Sequence, residues 1–303
     1  MTDDTDDIRL ISANIGTLFP GDAGKPIDDV DRPRFQTAAD WQQLGSLAQF
    51  AEMRGVLAGM RMGYMAEMLG RAAAAGEQLG LALTAVRDAE VWVETQTPPA
   101  QSSRRILAGR ALAETSGMWS VSTGHAAVNV VARVLRAHHD ATYLDKAFGW
   151  FGPPEPFAEV RGSNLSINRP TVKALGRAAK ETRDARLERL VAPLSDLLKD
   201  PDWAAVAARR DLGYHRWRPQ SIAGGASTRN PWGDEGGTSS MAVGETSGHI
   251  PPALGSVVLE TRNGYNKLSD AMRAVFEAMP AAMVAAGIEI WKTDDIVSST
   301  EAD

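Results

Sequence analysis

The run Arg209-Arg210-Asp211-Leu212-Gly213-Tyr214-His215-Arg216-Trp217-Arg218-Pro219 gathers more chemistry-bearing side chains than any other part of this 303-residue chain. Histidine titrates near neutrality and exchanges protons; arginine stays charged and grips an oxyanion through two parallel hydrogen bonds. Arg210 and His215 are separated by four residues, and a carboxylate, Asp211, directly follows the arginine. A second pair at the same spacing, Arg133 and His138, has Val134 after the arginine and sits in an apolar helical pattern, which marks it as a structural decoy. His138-His139-Asp140 offers two imidazoles and a carboxylate. Adjacent residues point to different sides of a helix, so a shared ion would need ligands from elsewhere. No metal and no cofactor are therefore expected.

Several other chemistries drop out. The chain has no cysteine, which removes disulfides, thiolate metal sites and cysteine nucleophiles, and suits a reducing, cytoplasmic setting. No phosphate-binding Gly-x-x-x-x-Gly-Lys loop, Gly-x-Gly-x-x-Gly fingerprint, His-Glu-x-x-His helix or Gly-x-Ser-x-Gly elbow occurs. The most apolar stretch, Val56 to Leu69, contains Arg61 and Glu67 between flanking Arg54 and Arg71, so no membrane-spanning helix is expected. The amino terminus lacks the basic and apolar regions of a secretory signal.

The order arginine, polar residue, short spacer, histidine at Arg210-Asp211-Leu212-Gly213-Tyr214-His215 resembles the motif of the HEPN superfamily, helical proteins that often act as metal-independent ribonucleases. The resemblance covers about six residues and the all-helical setting. It implies an endoribonuclease that cleaves single-stranded RNA by general acid–base chemistry, as a homodimer, in a toxin or defence system. His215 would then transfer protons, Arg210 would clamp the phosphate and Asp211 would orient one of them. Arg209, Arg216 and Arg218 would contact the RNA backbone, while Tyr214 and Trp217 would stack on bases. On an ideal helix, residues five apart stand about 140° apart, so one straight helix does not aim both side chains together. A helix end at Gly213 or near Pro219, or a two-fold dimer, would be needed to unite them. The alternative function is a non-catalytic helical module that binds a protein partner, RNA or a nucleotide.

Charge is unevenly spread. The net charge of −6 conceals acidic ends: residues 1–31 hold eight acids and two bases, and residues 289–303 hold five acids and one base. The body between them has 29 bases against 25 acids, and the segment 161–229 has fourteen against seven. A basic body with acidic ends suits an anionic partner such as RNA.

The elements that must hold these residues read as helices. Aromatics are sparse at 6% and alanine is abundant, which favours helix over strand. Trp41, Leu44, Leu47, Ala48 and Ala51 recur at three- and four-residue steps from Asp40 onward. Gly55, Gly59 and Gly63 share one helix face, amid Met53, Met60, Met62, Met65 and Met68. Further helices are expected over about Glu77–Thr95, Ser103–His139 (with a break near Gly117 or Gly124), Pro170–Val191 (with Pro193 interrupting), from Asp200-Pro201-Asp202 onward, and over Ser256–Ala286. Ile288 to Trp291 is the one strand candidate. The expected fold is all-α, a bundle-like helical domain with a long Gly/Pro-rich loop over 219–253. Its organisation is an acidic, partly ordered arm at 1–38, the helical domain at 39–292 with an alternative subdivision near 149–170, and an acidic tail at 293–303.

Overall fold

Alanine and leucine at helical spacing wind this chain into eight helices among the described residues, and no strand occurs there. The computed structural model describes residues 27–57, 63–94, 102–149, 164–215 and 253–288; for 50–57, 63–67, 102–105 and 211–215 it describes the backbone alone. The helices are α1 (Arg32–Leu57), α2 (Gly63–Glu94), α3 (Ser102–Ala137), α4 (Tyr143–Phe148), α5 (Arg169–Thr182), α6 (Ala185–Leu197), α7 (Pro201–His215) and α8 (Leu254–Ala285). The long helices α1, α2 and α3 pack in chain order, and α8 lies against all three and against α6 and α7. The all-α bundle is thus the observed architecture. No described helix is long and apolar enough to cross a membrane.

One apolar core runs through the bundle. It joins Trp41 of α1, Leu79 and Leu83 of α2, Val131 and Leu135 of α3, Leu175 of α5, Leu190 and Leu194 of α6, and Leu268 and Met272 of α8. This core contains residues from both sides of 149–170, the place where a subdivision was the alternative. The fully buried Trp41 also donates its indole N–H to the Met272 carbonyl at 3.1 Å, which ties α1 to α8. Gly76 lets α2 approach α1 closely: an added Cβ would lie 2.6 Å from both Ala38 O and Gln42 N.

Caps written in the sequence place the shorter helices. Asn168 accepts the Thr171 amide at 2.9 Å and opens α5, with proline in the first turn. Asp200 accepts the amides of Asp202 and Trp203 at 2.9 and 3.4 Å and opens α7, as Asp200-Pro201-Asp202 suggested.

Four expectations need correction. The first helix starts at Arg32, inside the span read as an arm, and Phe35 and Ala38 already belong to the core. α3 does not break at Gly117 or Gly124. Gly124 instead gives Ile167 room, since a Cβ there would sit 3.1 Å from its side chain. Pro193 lies inside α6, and the break falls earlier, where Arg183 takes left-handed backbone (φ 56°) and Asp184 caps the new helix. Proline inside a helix costs about 3 kcal/mol. The buried stripe Leu187, Leu190, Val191, Leu194 and Leu197 offsets that cost. Finally, α3 ends at Ala137, so His138 and His139 stand beyond the helix. The Gly/Pro-rich stretch and the terminal tail lie outside the described residues, as do Gly59, Met60, Met62 and Glu289 to Trp291 of the strand candidate.

Candidate functional site

α7 carries the Arg-polar-x-x-x-His motif at its carboxyl end. Its amino-terminal half is anchored: Trp203 and Val206 are buried, and α7 crosses α8 closely at Gly264. An added Cβ at Gly264 would fall on Val206 and lie 2.9 Å from Asp202 O. The helix continues through Gly213 to His215, so the glycine does not end it. Arg210 and His215 therefore sit on one uninterrupted helix, about 140° apart around its axis. The backbone of a single chain does not converge them.

The neighbours of that motif divide. Arg209 is committed to α8, donating Nε and Nη2 to Glu260 at 3.0 and 2.5 Å in a fork-to-fork ion pair. Its expected role at an RNA phosphate competes with that carboxylate. Arg210 is half-buried. Asp211, Tyr214 and His215 are described by backbone alone, and Arg216, Trp217 and Arg218 lie outside the described residues. The decoy pair is structural. Arg133 is buried and donates to the Asn129 carbonyl at 3.1 Å, one turn back along α3.

A second cationic surface has clearer geometry. Arg169, Lys173, Arg177 and Lys180 follow one another at steps of four, four and three along α5, and all four are exposed. That spacing confines them to a sector of about 80° and a length of about 16 Å. The opposite face carries Val172, Leu175, Ala178 and Ala179, which are buried in the core. Arg169, Lys173 and Lys180 make no ion pair among the described residues. The Arg177 guanidinium lies over the Tyr143 ring, 4.2 Å from its centroid, and 3.8 Å from Glu181. On α6, Arg186 and Arg189 are also exposed, although Arg186 is held by Asp184 at 2.7 Å. Hydrogen bonds from the Arg186 side chain and amide push the Asp184 carboxyl down to about 2, and the nearby His138 adds a smaller effect.

The charge excess of 161–229 belongs to the whole segment and does not by itself single out this stripe. Its signal was present in the Arg-x3-Lys-x3-Arg-x2-Lys spacing over 169–180, once α5 is known to be a helix. The stripe and the α7 motif are distinct places. The start of α7 packs near Ile167, just before α5, because Trp203 and Ile167 both face Gly124. His215 lies twelve residues further along α7, about 18 Å on.

Other charges are consumed inside the bundle. Asp31 is buried between Arg87 at 3.1 Å and Arg262 at 2.9 Å, and Arg262 also donates Nε to Glu90 at 2.6 Å. Burial by itself would lower the Arg262 guanidinium, but the Glu90 and Asp31 carboxylates raise it above its ordinary value. Burial also pushes the enclosed Tyr265 hydroxyl up. This knot joins the start of α1 to α2 and α8.

Comparison with family models, with curated proteins and with solved structures finds no match to this chain.

Proposed function

We propose that this protein binds single-stranded RNA along the basic face of α5. The observation that carries this reading is the exposed row Arg169, Lys173, Arg177 and Lys180, interrupted by no acid and backed by an apolar face. A row of cations spaced about one helical turn apart meets successive phosphates without demanding a base sequence. Tyr143, stacked beneath Arg177, adds an aromatic surface of the kind that bases pack on. Soluble action in a reducing, cytoplasmic compartment suits a cysteine-free chain.

The more specific form of the proposal is a HEPN-like, metal-independent endoribonuclease. It rests on the resemblance at Arg210, Asp211 and His215. RNA held on α5 would be cut where His215 of one chain meets Arg210 of a second copy, since the five-residue spacing turns the two side chains apart on one helix. His215 would exchange the 2′-hydroxyl and 5′-oxygen protons, and Arg210 would hold the charged phosphorane.

Titrating a labelled single-stranded RNA against the protein at rising salt tests the binding reading. The affinity should fall steeply, and the triple variant Arg169→Ala, Lys173→Ala, Lys180→Ala should flatten the logarithmic salt slope by about 2. Binding that ignores salt, or that the triple variant leaves intact, removes the α5 surface from consideration. In the same samples, made in EDTA, cleavage should leave a 2′,3′-cyclic phosphate, and His215→Ala should slow it by about 10²–10⁴. Salt-sensitive binding without cleavage would leave an RNA-binding module and overturn the nuclease form.

A further inference from the structure

We propose that the turn between α3 and α4 binds a divalent transition-metal ion of the zinc, nickel or copper class through His138, His139 and Asp140. The end of α3 at Ala137 makes this arrangement available. Inside a helix the two imidazoles would point apart, but beyond its end they stack, with ring centroids 4.6 Å apart and planes inclined by 20°. His139 Nε2 lies 3.2 Å from Asp140 Oδ2. One ligand atom from each residue falls within 4.8 Å of the other two.

The hydrogen bonding of His138 is compatible with a cation. His138 Nδ1 accepts a hydrogen bond from the Asp140 amide at 3.2 Å, so in the neutral ring Nδ1 carries the lone pair and Nε2 the proton. A metal ion at Nδ1 replaces that long hydrogen bond without a change of tautomer. Donor atoms around a four-coordinate ion with bonds of about 2.0–2.1 Å stand roughly 3.3 Å apart. The present separations close to that value by rotation of exposed side chains: His139 is 83% exposed and Asp140 54%.

Electrostatics favour the same occupant. The carboxyl end of the 36-residue α3 presents the negative pole of its dipole to the turn. Two imidazoles select zinc, nickel or copper over magnesium or calcium, which prefer all-oxygen sites. Three protein ligands leave a fourth position for water or an anion. This site is independent of the α7 motif and of the RNA-binding reading.

The test is calorimetric titration of zinc chloride into the full chain, prepared without a histidine tag, with cobalt(II) absorption as a second readout. One ion per chain should bind with micromolar affinity, and magnesium should not displace it. His138→Ala, His139→Ala and Asp140→Asn should each weaken binding by about tenfold or more, with melting temperatures unchanged because the three side chains are partly or largely exposed. Parent-like binding in all three variants would place the ion at His125, His215 or His249 and overturn the proposal. Millimolar binding would mean adventitious surface chelation only, and would overturn it equally.

Discussion

Arg87 and Arg262 are as cationic as Arg169 and Arg177, yet the bundle employs the two pairs in opposite ways. Arg87 and Arg262 reach inward to Asp31, whose side chain is 5% exposed, and Arg262 reaches on to Glu90. Their charge is neutralised within the fold and fastens the start of α1 to α2 and α8. Arg169 and Arg177 stand in solvent on α5, where one has no ion-pair partner among the described residues and the other has a loose one at 3.8 Å. A base count over a segment, such as fourteen against seven in 161–229, cannot separate these uses. Arg209 lies inside that count and is nevertheless taken up by Glu260. What decides availability is whether a carboxylate from a distant helix arrives at the guanidinium.

The contrast is most exposed to test in stability. Asp31→Ala removes the carboxylate that Arg87 and Arg262 share and leaves Arg262 with Glu90, and should lower the free energy of unfolding by about 3–5 kcal/mol. Urea denaturation of the purified variant measures this. A loss under about 1 kcal/mol would mean that the knot is already open to water and that the two regions differ less than their geometry implies.

An intermediate case sharpens the scale. Asp200 is half-buried, caps α7 and pairs with Lys267 at 3.2 Å. Burial would raise its carboxyl, but the Lys267 ammonium and the amides of Asp202 and Trp203 hold it below the ordinary 3.8. Asp200→Ala should cost about 1 kcal/mol at neutral pH. A carboxyl depressed on folding stabilises fully above its unfolded value and loses that contribution as pH falls through the folded one. The gap between parent and variant should therefore be widest above pH 4 or so and shrink in stronger acid. A gap that widens on acidification would contradict the assignment.

At the other end of the scale, Lys173→Ala combined with Lys180→Ala should shift stability by no more than about 0.5 kcal/mol, because both side chains are exposed and unpaired among the described residues. Thermal melts and RNA titrations on the same preparation would then separate folding from binding. Should this double variant melt as early as Asp31→Ala, the α5 face would be structural and the proposed RNA surface would fail.

Features governed by near neighbours in the chain were legible from the residues alone. Pro170 announces the start of α5, because proline suits a first turn, and Asp200 that of α7, because a short acceptor side chain reaches amides two or three residues away. Val257, Leu268, Met272, Val275 and Met279 announce the buried face of α8, because burial on a helix repeats every 3.6 residues. The continuity of α7 through Gly213 was not legible, since a glycine inside a helix costs about 1 kcal/mol that neighbouring contacts can offset. The motif at Arg210 and His215 was visible as types and spacing, but whether those side chains meet depends on a surface outside one helix.

The remaining decisions belonged to the tertiary structure. Arg209 meets Glu260 across 51 positions, and Asp31 meets Arg262 across 231, so neither partnership has a local signature. The entry of Phe35 and Ala38 into the core moved the start of α1 back to Arg32 despite an Asp- and Pro-rich approach. Pro193 was tolerated because five buried apolar side chains hold α6 in place around it. His138 and His139 came to stack because α3 stops one residue earlier and the chain turns towards Leu144, buried in the core. Local propensities differ by about 1 kcal/mol per residue, whereas burying one large apolar side chain contributes about 1.5–3 kcal/mol. Where the two disagree, packing against distant residues sets the outcome.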